Sequence, residues 1–253
     1  MNVRLPAAAA LIALGLTACS GPAAPAPVGD ALSGTIVVYA AASLTATFTT
    51  LAADFEADHP GTTVTLNFAG SSDLATQITE GAPADVFATA DKKNMAKVTG
   101  AGLAAGTPMD FATNTLEIAV PPDNPAGVTS LADLASAGVT TVVCAPQVPC
   151  GAATAAVMAT AGLSLTPASE ESSVTDVLGK ITSGEADAGL VYVTDVRTAG
   201  DAVLGIEFPE SSSAVNTYPI VAVTDGALAA AFVEYATGSA ARDVLAAAGF
   251  GAP

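Results

Sequence analysis

Two short stretches place serine where it could do chemistry. In YAAASLT, residues 39–45, and FAGSSDL, residues 68–74, an apolar run gives way to small residues and then to serine just ahead of a helical pattern. The first N–H groups of a helix lack intrahelical partners and its dipole end is positive, so a hydroxyl beside them completes a donor set suited to an anion. N-capping, worth about 1 kcal/mol per helix, accounts for either serine alone. Two such starts, with small residues leaving backbone N–H groups accessible, point to an anion site built on Ser43 and Ser71, with Ser72 as the adjacent alternative to Ser71. Nucleophilic use of these serines lacks a base. The chain has one histidine, His59 in EADHP, at a helix end where it caps or faces solvent, and a Ser-His-Asp hydrolase or zinc site would have to be built around it. Glu170 and Glu171 have no supporting motif and read as a solvated face. Neither a GxxxxGK[ST] nor a GxGxxG segment follows a strand, which removes the phosphate loop and the dinucleotide fingerprint.

The elements that must position the serines follow from periodicity. TIVVYA reads as a strand, and in SLTATFTTLAADFEADHP the residues Leu44, Phe48, Leu51 and Phe55 recur at helical spacing, one stripe that packs on a sheet, with Pro60 closing it. TVTLNF is the next strand, SDLATQITE a short helix with Leu74 and Ile78 inward, and ADVFATA another strand. TLEIAVP, TTVVCA, AGLVYV and YPIVAV look like further strands with helices between and after them. The alternation predicts an α/β fold with largely parallel strands, and in such sheets ligands bind outside the carboxyl ends of the strands, where both serines fall.

The ends of the chain indicate a compartment. MNVRLPAAAALIALGLTAC has one early cation, Arg4, then an apolar stretch too short to span a bilayer permanently, and reads as a signal peptide over residues 1–18. Leu16-Thr17-Ala18-Cys19 resembles a bacterial lipobox, which makes Cys19 a lipidation candidate, and the Pro/Ala/Gly-rich residues 19–34 read as a tether. An extracytoplasmic setting makes Cys144 and Cys150 candidates for a disulfide, with two buried free thiols the alternative. The remaining 35–253 suffice for one large domain or two lobes. Tryptophan is absent, aromatics are 5% and the formal net charge is -17, all of which argue against nucleic acid as a partner.

VVYAAASLT, FAGSSDLATQITEGAPADVFATADKKNM, VPCG and AGLVYVTDV together resemble the periplasmic molybdate-binding proteins of ABC importers, in order from about Thr35 to the C-terminus. The resemblance implies a two-lobed periplasmic binding protein of type II, with a mostly parallel sheet flanked by helices in each lobe and the ligand in the cleft between them. It places 35–112 and 217–253 in lobe 1 and 113–216 in lobe 2, with crossings near Met109–Thr115 and Asn216–Pro219. In that family two serines, two backbone amides and a tyrosine hydroxyl hold a tetrahedral oxyanion. The matching positions are Ser43 and Ser71, the amides of Cys150 and Val174, and Tyr192, for which a half-buried strand aromatic is the alternative. Cys150 departs from the small residue usual there, but a contact through backbone N–H survives a side-chain change.

The implied function is extracytoplasmic binding of molybdate, and of tungstate as an equally well-shaped ligand, for delivery to an ABC permease and its ATPase. Molybdenum enters only as the bound oxyanion. No cofactor and no enzymatic activity are expected, and the chain is expected to be a monomer held at the membrane by its lipid anchor. The alternatives are a receptor for sulfate or ferric iron, an exported hydrolase using Ser43 or Ser71, or a structural surface lipoprotein.

Overall fold

A computed structural model of the chain describes Met1 and residues 32–253. The leader, Cys19 and most of the tether lie outside the described residues. The body from residue 32 contains two five-stranded sheets, each flanked by helices.

The first sheet is built from β1 (Gly34–Ala41), β2 (Thr62–Ala69), β3 (Val86–Ala88), β4 (Met109–Asn114) and β10 (Asn216–Ala222), in the order β2-β1-β3-β10-β4. Its helices are α1 (Thr45–Asp58), α2 (Ser71–Thr79), α3 (Lys92–Gly100), α7 (Ala227–Thr237) and α8 (Ser239–Ala248). The second sheet holds β5 (Leu116–Val120), β6 (Thr141–Cys144), β7 (Ser169–Glu171), β8 (Ala188–Tyr192) and β9 (Leu204–Ile206), in the order β7-β6-β8-β5-β9. With it go α4 (Pro149–Ala161), α5 (Val174–Thr182) and α6 (Val193–Ala199).

Strand direction carries the functional meaning. β1 runs parallel to β2 and β3, and β10 is antiparallel to both β3 and β4. In the second sheet β6 runs parallel to β7 and β8, and β5 is antiparallel to β8 and β9. Each sheet is therefore mixed, with a single reversed strand, and that strand is the one by which the chain enters the sheet after crossing from the other. The reason is geometric. β4 ends beside the cleft, so β5 must start there and run away from it, while the strands of the βα units end at the cleft; β10 repeats this on the return.

The apolar stripe read from the sequence packs as expected: Leu44, Phe48, Leu51 and Phe55 are fully buried, as is Leu74, with Ile78 nearly so. Phe55 and Phe48 pack edge-on against Phe232 of α7, which joins the C-terminal helices to the first sheet's core. β3 is shorter than ADVFATA suggests; Asp85, just ahead of it, donates its N–H to the Val37 carbonyl at 2.8 Å, and its side chain accepts the Val37 N–H at 2.8 Å. β4, β7 and β9 were not legible as strands: two have only three residues, and MDFATN mixes polar and apolar positions without alternation. His59 is the C-cap residue of α1, its ring 4.5 Å from that of Phe55, and it takes no part in the cleft.

Candidate oxyanion site between the sheets

The loops that follow β1, β2, β3, β6 and β8, together with the start of α5 beyond β7, converge on one small cavity. From the first sheet's side it is lined by Ala41, Ala42 and Ser43, by Gly70 and Ser71, and by Ala90. The second sheet's side contributes Val148, Pro149 and Cys150 at the start of α4, Val174 at the start of α5, and Tyr192 at the end of β8. All five residues singled out from the sequence, Ser43, Ser71, Cys150, Val174 and Tyr192, therefore meet in one place, although the chain crosses from the first sheet to the second between Ser43 and Tyr192. Ser72 is buried but faces elsewhere, toward Asp73. The cavity is small, with about 10 Å3 open to a water-sized sphere, far below the roughly 300–1,000 Å3 usual for organic ligands. Among its described lining residues none is charged.

The serines are placed differently from simple caps. Gly70, not serine, is the N-cap of α2, and Ser71 is its first helical residue; Ser43 sits in a 3-10 turn (Ala42–Leu44) ahead of α1. Neither side chain caps its helix. Ser71 Oγ instead accepts the Ala90 N–H at 3.0 Å, and Ser43 Oγ lies 3.0 Å from Tyr218 Oη. With an acceptor position of its oxygen already engaged, the Ser71 hydroxyl is available to serve as a donor. The Cys150 and Val174 amides fall in the first turns of α4 and α5, where N–H groups have no intrahelical acceptor and the helix dipole is positive. Ser173 caps α5 by accepting the Asp176 N–H at 3.1 Å, which fixes the segment that presents Val174.

Tyr192 is the most telling member. Its side chain is 1% exposed, and its hydroxyl has no hydrogen-bond partner among the described residues. Burial pushes the phenol well above the ordinary tyrosine range, so it keeps its proton and remains a donor. An unpartnered buried hydroxyl costs about 1–3 kcal/mol, a cost that a bound acceptor would offset. Behind it, Asp195 on α6 accepts the Tyr192 backbone N–H at 2.9 Å, and burial raises its carboxyl from 3.8 to about 7. Because the folded-state value lies above the ordinary one, the folded protein holds an extra proton between about pH 4 and 7, and this group's contribution to stability falls as pH rises through that window. Asp195→Asn keeps an acceptor for Tyr192 and is expected to gain stability relative to wild type between pH 4.5 and 8; urea unfolding at the two pH values checks this, and an unchanged difference would assign the slope to other groups.

A disulfide joins Cys144, the last residue of β6, to Cys150 in the first turn of α4, with the Cα atoms 5.7 Å apart. The turn it closes carries Val148 to Cys150 into the cavity. Gly151 lets α4 begin against this turn, since a Cβ there would overlap the carbonyl of Ala145 and crowd that of Cys144. Opening so short a loop is expected to destabilise the fold by about 2 kcal/mol and to weaken ligand binding several-fold by loosening the Cys150 amide; titration with and without reductant measures both, and unchanged affinity would confine the disulfide to a stability role.

Sequence reading did not find Tyr218, Asn114 or Thr194, which stand behind Ser43, nor the part played by Gly70. A Cβ at Gly70 would overlap the carbonyl oxygen of Ser172 on the second sheet's side and lie 3.7 Å from Val148 Cγ1. The one available signal was that Asn114 and Tyr218 fall in or beside the inferred crossings.

The profile of the bacterial extracellular solute-binding proteins matches residues 36–251. The chain is 47% identical over 249 residues to the molybdate-binding protein ModA of Mycobacterium tuberculosis, covering 96% of this chain and 95% of that one. It is 32% identical to the molybdate-binding protein ModA of Escherichia coli, covering 88% and 91%. Among solved structures, the periplasmic molybdate-binding protein of Azotobacter vinelandii superimposes with a TM-score of 0.74 at 25% identity, covering 86% of this chain and 99% of that one.

Proposed function

Since the chain belongs to the bacterial extracellular solute-binding proteins, and within them to the molybdate-binding group, we propose that it binds molybdate outside the cytoplasm and hands it to an ABC importer. Ser43, Ser71, Tyr192 and the backbone amides of Cys150 and Val174 are the proposed donors. The observation that carries this reading is that the buried Tyr192, its hydroxyl without a partner among the described residues, lines one cavity with two serines and two helix starts and with no charged side chain among the described lining residues. Molybdate and tungstate are fully deprotonated at neutral pH and only accept hydrogen bonds, so a ring of donors matches either. Five bonds to a charged acceptor, at about 1.5–3 kcal/mol each, gross roughly 7–15 kcal/mol. Set against association costs of several kcal/mol, the upper part of that range reaches micromolar or tighter binding, which needs about 8 kcal/mol.

The donors come from both sheets, so the anion bridges the lobe built on the first sheet and the lobe built on the second, and its preference for the closed form shifts the open-closed equilibrium. Closure of these two lobes about the crossings is part of the proposal, as are tungstate binding, a monomeric state with no resident cofactor, and attachment to the membrane through lipid on Cys19. The net charge of -17 does not oppose binding strongly, since exposed carboxylates beyond a Debye length of about 8 Å are largely screened. Isothermal titration of the body after Cys19 with molybdate, tungstate, sulfate and phosphate tests the reading. Tight one-to-one heat with the first two alone supports it; silence with molybdate overturns it.

A further inference from the structure

We infer that Tyr218 is a positioning residue for the oxyanion: it turns the only proton of Ser43 into the cavity and ties that orientation to the strands that cross between the sheets. The inference rests on the molybdate reading above and goes beyond it, because Tyr218 does not line the cavity.

Tyr218 lies on β10 and is completely buried. Its hydroxyl is 3.0 Å from Ser43 Oγ, a distance at which either oxygen could donate; the neighbours decide which does. The Asn114 Oδ1 accepts the Thr115 N–H at 3.0 Å, which turns the amide nitrogen of the same side chain the other way. That nitrogen donates to Thr194 Oγ1 at 2.8 Å and, over a longer 3.5 Å, to Tyr218 Oη. An amide nitrogen cannot accept, so Tyr218 Oη is the acceptor toward Asn114, and among the described hydrogen-bond neighbours of this buried hydroxyl Ser43 Oγ is the acceptor left for its own proton. Ser43 is then left with one proton and the cavity to give it to. Ser71 is fixed in the same sense by the Ala90 N–H, and Ala90 O is in turn held by Asn216 Nδ2 at 2.9 Å from the start of β10.

The consequence is selectivity by protonation. Both hydroxyls become obligate donors, so an oxyanion that still carries a proton brings that proton against another. The relay also has a mechanical side. Asn114 ends β4, Tyr218 is on the returning β10, and Thr194 is on α6 of the second sheet, so the orientation of Ser43 depends on contacts at the crossings. Burial raises the Tyr218 phenol above the ordinary tyrosine range and keeps it protonated as the relay requires.

Tyr218→Phe removes the hydroxyl and keeps the ring, which packs edge-on against Tyr192, Phe111 and Phe250 at 6.1, 6.3 and 5.3 Å. The test is a double-mutant cycle of wild type, Tyr218→Phe, Ser43→Ala and the double variant, titrated with molybdate and with phosphate at pH 6. Tyr218→Phe is expected to lose about tenfold in molybdate affinity, the worth of one hydrogen bond to a charged group, with its unliganded thermal midpoint kept and the molybdate-to-phosphate ratio narrowed. In the Ser43→Ala background the same change is expected to cost less than about twofold, since coupled residues are non-additive. An equal loss in both backgrounds, or no loss in either, overturns the inference while leaving the molybdate reading intact. Failure of the wild type to bind molybdate overturns that reading, and this inference with it.

Discussion

Gly70→Ala is expected to reduce molybdate affinity about a thousandfold while leaving the unliganded protein folded. Gly70 has φ -59° and ψ 137°, a conformation open to any residue, so the glycine is not there for backbone freedom. It is there for space. An added Cβ would overlap the Ser172 carbonyl oxygen and approach its carbon to 3.2 Å. The obstacle is backbone, so no side-chain rotation relieves it, and Ser172 leads directly into Ser173 and Val174 at the start of α5. The two sides must stand apart, and the donors on the second, the amides of Cys150 and Val174 and the Tyr192 hydroxyl, lose reach together. Three bonds at about 1.5–3 kcal/mol each gross more than 4 kcal/mol, and about 4 kcal/mol is a thousandfold in affinity. Away from the cleft nothing is disturbed, so the thermal midpoint without ligand should hold. Titration calorimetry gives the affinity, and small-angle scattering should show wild type contracting on molybdate while the variant does not. An affinity within threefold of wild type would mean that closure does not bring Gly70 against Ser172.

Tyr192→Phe is expected to change stability and binding in opposite directions. Among the described residues the wild-type hydroxyl is buried without a partner, so replacing it with hydrogen should stabilise the unliganded protein by about 1 kcal/mol or more. The ring remains packed against Tyr218, and the backbone N–H bond to Asp195 is untouched. In the complex the same hydroxyl is proposed to donate to the anion, and its loss should cost about 1.5–3 kcal/mol, or roughly ten- to a hundred-and-fiftyfold in affinity. Thermal unfolding with and without molybdate reads both effects from one sample: the variant should melt above wild type alone and gain less from the ligand. A variant less stable without ligand would show that the hydroxyl already has a partner, and unchanged affinity would remove Tyr192 from the site.

Much of this was legible in the sequence because it is carried by local rules. The spacing of Leu44, Phe48, Leu51 and Phe55 defines one buried helix face whatever the helix packs on, and β-branched runs such as TIVVYA and TTVVCA announce buried strands. The serines after β1 and β2 fall at a sheet edge by the logic of the βα unit alone. Two serine turns suited to an anion, in a chain with only seven Lys and Arg, were likewise readable from residue types, whereas the fuller donor set came from the family resemblance.

What the tertiary structure decided are the relations between segments far apart in the chain. Gly70 and Ser172 are a hundred residues apart, and only the packing of two sheets makes the hydrogen on one Cα matter to the carbonyl of the other. Ser43 and Tyr218, at opposite ends of the chain, share a hydrogen bond because β10 returns to the first sheet between β3 and β4. The choice of Ser71 over Ser72 turned on a single helical step, fixed when Gly70 became the N-cap and Ala90 offered its N–H. Periodicity determines which face of an element is buried, because that depends on neighbours three or four residues away. Which groups then meet, and which hydroxyl is left with an unspent proton, depends on chain crossings that local sequence does not encode.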